Sequence, residues 1–312
     1  MVLAGSIAID RIMNFKVRYK DLIQPEKLHV LSVSVLVDKL QRSHGGIGAN
    51  IAYNLALLGE QPILLGAAGK DAEDYLQKLS QLGVDVSHVH LSELPTASFS
   101  VLTDLDDNQV GGFYLGAMGD STTLSLIPWK GKNALAVISA HDPDAMRQQV
   151  DECVTHDIRY CYDVGPQVTN IVAEDIKAGL AKTELLFVND YELGVMAKKV
   201  GQPEGKVKNS VPVCVTTLGK QGCKIEGNQV DGSIEVPAVS KAKVVDPTGA
   251  GDAFRAGFLF GYVRDLPLEK CARLGSVAAS FAIEERGTQE HSFSLADCQE
   301  RYQQTYGEKL GI

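Results

Sequence analysis

The chain has 312 residues, 45% of them hydrophobic and 22% charged, and a formal net charge of −9. Length and balance suit a globular protein of one large domain, with or without a small appendage. The acidic balance argues against a general binder of nucleic acid or anionic membrane, both of which need basic patches, but leaves room for small phosphorylated ligands.

The first ten residues, MVLAGSIAID, are apolar but lack a basic start and a cleavage site. They read as a buried first strand, not a signal peptide. No apolar run approaches the roughly 20 residues of a membrane span. Residues 11–44 and 96–116 do not alternate with helices. KLHVLSVSVLVDKL, TASFSVLTDL and NQVGGFYL read as extended pieces, with a hairpin turn expected at Asp106-Asp107-Asn108. Paired into a small sheet, they would form a β lid over a site in a core built from 1–10, 45–95 and 117–312. Between the two pieces lies HGGIGANIAYNLALLG, where Gly45, Gly46 and Gly48 precede an amphipathic helix ended by Gly59. The spacing departs from G-x-G-x-x-G, so it supports a dinucleotide site only weakly. Asn50, in the first turn, is either a helix-start residue or an amide for substrate hydroxyls.

The second half has a regular rhythm. ALAVIS (134–139), RYCYDV (159–164), ELLFVN (184–189) and VPVCVTT (211–217) alternate with helical stretches, one of them opened by Asp142 and Pro143. This predicts βαβ units and a mostly parallel, twisted α/β sheet covered on both faces. Ser139, Asp163, Asn189 and Thr217 end these strands, where open α/β sheets bind ligands. The six cysteines, at 153, 161, 214, 223, 271 and 298, form no C-x-x-C pair. Cys161 and Cys214 look like core residues, and a reduced, cytoplasmic protein is expected.

The stretch VVDPTGAGDAFRAGF (244–258) sets glycines against a helix start, with periodicity from about Ala253. Backbone N–H groups there lack partners and the helix dipole is positive, which makes an anion site of Gly249, Ala250 and Gly251. The lysine and hydroxyl of a Walker A loop are missing. Asp252 would repel a phosphate if binding were its only task. It fits a general base that takes a proton from a hydroxyl attacking that phosphate; an N-terminal cap is the alternative. In NDYE (189–192), Asn189 ends a strand and Glu192 follows one turn on, which suits a carboxylate ordering water around Mg²⁺ and phosphate. TTLGKQG (216–222) is a strand with a glycine turn that would contact a nucleotide.

DPTGAGD running into AFRAGF resembles the carboxy-terminal signature of the ribokinase-like (PfkB) carbohydrate and nucleoside kinases. GGIGANIAYNLALLG resembles their amino-terminal signature, and NDYE their N-x-x-E motif; all three occur in family order. GSIAIDRIM (5–13), LHVLSVSVLVD, TASFSV (96–101), NQVGGFYLGAM (108–118), VNDYE and ERGTQEH (285–291) are most similar to bacterial adenosine kinases of the mycobacterial type. The resemblance implies a three-layer αβα sandwich with a β lid, and transfer of the ATP γ-phosphoryl group to the adenosine 5′-hydroxyl, with Mg²⁺ and a monovalent cation such as K⁺ near 284–291. It implies that Ser6, Asp10, Gly46 and Asn50 hold the ribose, that Phe99 and Phe113 sandwich the adenine, and that Gln167 belongs to the nucleoside site. Asp252 would be the base and Gly249, Ala250 and Gly251 the anion hole. Asn189 and Glu192 would meet phosphate and, through water, magnesium, while Thr217 and Gly219 would touch ATP. It also implies a homodimer through the lid. Two departures fall in the nucleoside-recognising parts. Paired glutamines are reduced to Gln167 in DVGPQ, and Leu115 stands where the family has proline. Another nucleoside, or a sugar such as ribose or fructose, therefore stays open as acceptor. A non-catalytic nucleotide-binding protein would be expected to lose Asp252 or the glycine turn, and both are intact.

Overall fold

The computed structural model describes residues 1–30, 32–106, 108–240 and 242–311, and of Lys27 the backbone only. β1 (Val2–Ala4) is followed by β2 (Ala8–Asn14), helix α1 (Tyr19–Leu22), a 3₁₀ turn at Pro25–Val30, and β3 (Lys39–Gly45). Then come α2 (Ile47–Leu57), β4 (Ile63–Leu65), β5 (Ala67–Gly69), α3 (Glu73–Gln81), β6 (His90–Ser92) and the hairpin of β7 (Ala97–Thr103) and β8 (Gln109–Tyr114). The second half runs β9 (Ala136–Ser139), α4 (Pro143–His156), β10 (Tyr160–Asp163), α5 (Ala173–Ala181), β11 (Leu185–Asn189), α6 (Asp190–Val200), α7 (Glu204–Lys208) and β12 (Val213–Thr217). β13 (Cys223–Glu226), β14 (Ile234–Val236), α8 (Ala250–Tyr262), α9 (Leu268–Ala282) and α10 (Leu295–Tyr306) complete the chain.

Eight strands form the main sheet in the order β14-β13-β12-β11-β10-β9-β1-β4. β4 through β12 pair in parallel, and β13 and β14 close one edge antiparallel. Successive strand residues point to opposite faces, and both faces are buried. Leu3, Val137, Cys161, Leu185 and Phe187 pack with residues of α2, α8, α9 and α10. Val2, Ala4, Ile138, Tyr160, Tyr162, Leu186 and Val188 pack on the other side with residues of α4, α5 and α6. That partition is the expected three-layer α/β architecture. Asp142 opens α4 as expected, its carboxylate accepting from the Asp144 and Ala145 N–H groups, with Pro143 as first helical residue. All six cysteines are free and buried, and among the described residues no helix is long and apolar enough to cross a membrane.

A second sheet has the order β3-β2-β7-β8, so the two extended pieces of the sequence do meet. Their boundaries differ from expectation. The second sheet takes Ala8–Asp10 and Gly45 from the stretches assigned to the core. Residues 27–38 form no strand among those described. The free edge of β2 is filled by Lys39–Gly45, residue for residue, so Leu28, Val30, Val33 and Leu36 are left exposed. Leu31 lies outside the described residues, as does Asp107 of the expected turn. Around it, Asp104 accepts from the Asp106 and Asn108 N–H groups and so shapes the hairpin connection.

α2 departs from the amphipathic reading. Gly48 through Leu55 are all buried, because the helix lies between β1 and β4 on one side and α8 on the other. A helix covered all round carries no polar face to read in sequence.

Candidate active site

The site lies where α8 begins. The helix starts at Ala250, three residues earlier than its periodicity suggests, with Gly249 as N-cap in the left-handed conformation at φ +81°. That backbone favours glycine. It places Gly251 and Asp252 inside the first turn, Asp252 at its third position, and no side chain caps the helix. The cap alternative for Asp252 therefore falls away. Asp246 braces the turn from outside, accepting from the Thr248 and Gly287 N–H groups at 2.9 and 3.0 Å.

Asp252 is 9% exposed. Asn50 Nδ2 donates to its Oδ2 at 2.8 Å, and Asn50 Oδ1 accepts from Gln289 Nε2 at 2.8 Å. An ionised carboxylate only accepts, so the Asn50 amide must face it with nitrogen. Gln289 also donates to the buried Tyr75 hydroxyl, which itself donates to Gly45 O. Two residues 202 apart in sequence are thus joined directly. Both ends of Asn50 are engaged by protein, one of them orienting Asp252. Burial pushes the Asp252 carboxyl up to about 6, against the Arg255 charge and the Asn50 hydrogen bond, which pull it down.

Ser6 and Gly46 build the start of α2. Ser6 Oγ accepts from Ile47 N at 2.9 Å, and Gly46 is the N-cap at φ +94°, where a Cβ would fall 2.5 Å from Ser6 O. Asp10 lies over Gly45, and burial raises its carboxyl to about 6.

Strand register sets Ser43, Asp10, Phe99 and Phe113 in one row across the second sheet. Neighbours in such a row share a face and stand side by side. Phe99 and Phe113 therefore form one wall and are not the two jaws of a sandwich. They are 38% and 55% exposed, so they do not serve as core.

Thr217, Gly219, Val244, Pro247, Ala250, Gly251 and Phe254 line a cavity of about 280 Å³, largely apolar, with the glycine turn in its wall. A flat apolar group beside an anion site is the pairing that a nucleotide offers.

Asn189 and Glu192 form a capping box at the start of α6. Asn189 Oδ1 accepts from Glu192 N, and Glu192 Oε2 accepts from Asn189 N. Glu192 is buried, not a surface residue, and burial raises its carboxyl, with the Arg255 charge opposing. Gln167 is tied elsewhere: its Nε2 donates to His141 O at 2.7 Å, and its Oε1 accepts from Asn170 Nδ2 at 2.8 Å. Of the four strand-end residues, Ser139 and Asp163 are fully buried and turned to protein partners, Ser139 to Ala4 O and Asp163 to Arg255. They do not line an open crevice.

Tyr75, Gln289 and Arg255 were not anticipated. Arg255 had a signal, as the one charge within the apolar run from Ala253 to Tyr262. Gln289 had none, since its partners lie on α2 and α3.

An acid held beside a glycine turn at a helix start, with a largely apolar cavity behind it, suits a phosphotransferase acting on an alcohol. A model of the pfkB family of carbohydrate kinases matches residues 8–294, and the chain belongs to that family. A nucleoside kinase of Methanocaldococcus jannaschii is 29% identical over 288 residues, 91% of this chain and 90% of the relative. A Burkholderia thailandensis nucleoside kinase solved in complex with inosine is 30% identical, with a TM-score of 0.86 over 99% of this chain and 98% of that one. The same kinase in complex with ADP-inosine superposes with a TM-score of 0.84 at 30% identity over 99% of this chain and 96% of that one. The fold is ribokinase-like and the chain is an ATP-dependent nucleoside or sugar kinase. These relatives are nucleoside kinases, a broader class than the adenosine kinases that the sequence stretches resemble.

Proposed function

We propose that this kinase phosphorylates the 5′-hydroxyl of a purine nucleoside, adenosine being the acceptor implied by the sequence resemblance. The observation that carries the reading is the hydrogen bond from Asn50 to Asp252 at the head of the glycine turn. It leaves the second Asp252 oxygen to face an acceptor hydroxyl. The hydroxyl oxygen attacks the γ-phosphorus, the bond from phosphorus to the β–γ bridging oxygen breaks, and ADP leaves. The proton passes to Asp252. N–H groups of Gly249 and Gly251 meet the negative charge on the transferring group, while the Ala250 N–H, expected to join them, donates to Pro247 O at 3.2 Å. Asp10 accepts from ribose hydroxyls, with Ser6 and Gly46 shaping that end of the site. The Phe99–Phe113 wall stacks one face of the base, which suits a purine better than a free sugar. Thr217 and Gly219 contact the nucleotide.

Among the described residues no cluster of three or more His, Cys, Asp or Glu is arranged as a metal cage. Mg²⁺ would be carried by nucleotide phosphates and water, with Glu192 reached through water at the capped end of α6. When bound, the ion screens the phosphate charge.

The test is a Mg-ATP phosphoryl-transfer assay over adenosine, inosine, guanosine, cytidine, ribose and fructose. Turnover led by a purine nucleoside is expected; a free sugar in the lead removes the nucleoside reading. In the same assay Phe113→Ala is expected to raise the nucleoside KM by about fivefold or more, from the roughly 1–3 kcal/mol that a base stacked on an aromatic ring contributes, with KM for ATP little changed. Equal effects on both would take Phe113 out of the acceptor site.

The pH profile follows from the base. Asp252 acts only when ionised, so kcat/KM should fall as pH drops through about 6 and level off above it. Asp10 titrates in the same range and steepens the limb. A profile flat from pH 5 to 8 would contradict Asp252 as base.

A further inference from the structure

Arg255 lies one turn beyond Asp252 on α8, and the steps above do not use it. The residue is 7% exposed. Nη2 donates to Asp163 Oδ1 at 2.7 Å, Nε stands 2.7 Å from Asp163 Oδ2 without the alignment of a hydrogen bond, and Nη2 stands 4.0 Å from Glu192 Oε2. Two contacts on one carboxylate, one of them a charge-assisted hydrogen bond, form a fork that fixes the guanidinium in orientation as well as in place. Nη1 is turned toward the anion turn: a Cβ on Gly251 would fall 2.8 Å from it. With the fork pinned to a buried carboxylate, the guanidinium has little freedom to yield, so Gly251 is glycine for this contact as well as for the phosphate.

One side chain thus joins the end of β10 and the start of α6 to the first turn of α8. Asp163, Glu192 and Asp252 all converge on it, three buried carboxylates about one cation. An apolar side chain of the same length would fill the space. It would leave three like charges that burial drives toward the neutral form.

We propose that Arg255 is a positioning residue for phosphoryl transfer: anchored on Asp163, it locks the glycine turn against the strand ends and keeps Asp252 a carboxylate facing the acceptor. The proposal rests on Asp252 being the base. The groups around Asp252 are Asn50 from α2, Tyr75 from α3, Asp163 from β10, Glu192 from α6 and Arg255 from its own helix. Of these Arg255 carries the positive charge.

The test reads Asp252 itself. The full-length protein, labelled with carboxyl-¹³C aspartate, is titrated by NMR, and the Asp252 resonance is assigned by its loss in Asp252→Asn. The wild-type midpoint is expected at about 6. Arg255→Met should raise it by about one unit or more, the usual effect of losing an adjacent opposite charge, and Arg255→Lys should stay nearer the wild type. The Met variant should also lose about twofold or more in kcat at pH 7, the loss that a one-unit rise of the midpoint from about 6 brings by itself, and the Lys variant should recover part of it. A Met midpoint equal to the wild type, or a Lys midpoint as high as Met, overturns the proposal. A merely structural role would lower stability without moving the midpoint. Where Arg255→Met does not fold, the double variant Asp163→Asn/Arg255→Met is titrated instead; loss of Asp163 offsets part of the rise, because that charge itself pushes the Asp252 carboxyl up, so a smaller rise is expected and no rise at all is fatal. Failure of the base assignment would appear in Asp252→Asn turnover and not in this titration.

Discussion

Replacing Asp252 by asparagine is expected to lower kcat by about 10²–10⁴-fold, the range for a lost general base, while folding and nucleotide binding persist. Asparagine matches aspartate in shape. Its amide can turn its oxygen to Asn50 Nδ2, which now donates to the Asp252 carboxylate at 2.8 Å, so the link to α2 survives. The cavity proposed for the nucleotide is lined by Ala250, Gly251 and Phe254 and leaves Asp252 out, so ADP affinity should hold. What disappears is a group able to take the hydroxyl proton. The check is kcat at saturating ATP and acceptor, with ADP affinity measured by calorimetry on the same preparation. An asparagine variant within a few-fold of wild-type kcat would eliminate Asp252 as base. Loss of ADP binding in step with activity would point to collapse of the turn.

Asp163→Asn should carry the largest stability cost of any single change at the site. Asp163 is fully buried and holds the Arg255 guanidinium through two oxygens at 2.7 Å each. Removing one partner of a buried pair typically costs about 3–5 kcal/mol when the other charge is left without compensation; here the Asp252 and Glu192 carboxylates remain near the guanidinium and reduce that loss. Glu192 stands 4.0 Å from Nη2, and its own carboxylate is already held by the α6 capping box, so it is poorly placed to take over. Urea unfolding of the variant and wild type measures the loss. The double variant Asp163→Asn/Arg255→Met should regain part of it, because two effects within one pair do not add. A single-variant loss below about 1 kcal/mol, the scale of an exposed ion pair, would mean that the pair contributes little.

Much of the architecture could be read because it rests on local rules. Short β-rich runs alternate with capped helices, and Asp142 with Pro143 opens α4 where the capping rule puts it. The glycine turn before α8 was legible for the same reason: an anion site at a helix start depends on adjacent backbone groups. The failures share a different cause. KLHVLSVSVLVDKL has strand-like residues, but whether a segment is a strand depends on a partner edge, and the edge of β2 is taken by Lys39–Gly45. The α2 sequence looked amphipathic because Asn50, Tyr53 and Asn54 interrupt its apolar residues, yet all three are buried. Their polar atoms are met by Asp252, His291 and the Asn50 carbonyl.

The sequence by itself determined the kinase family, the parallel α/β sheet, the position of the glycine turn and the acid beside it. Each is written in contiguous residues whose backbone chemistry acts over one or two turns. Tertiary structure alone decided how that acid is held and tuned. The Asn50–Asp252 bond, the Gln289–Tyr75 link behind it, the Asp163–Arg255 fork and the one-sided Phe99–Phe113 wall join residues far apart in the chain. Burial of carboxylates around a single cation also depends on which strand ends meet, and no local pattern records that.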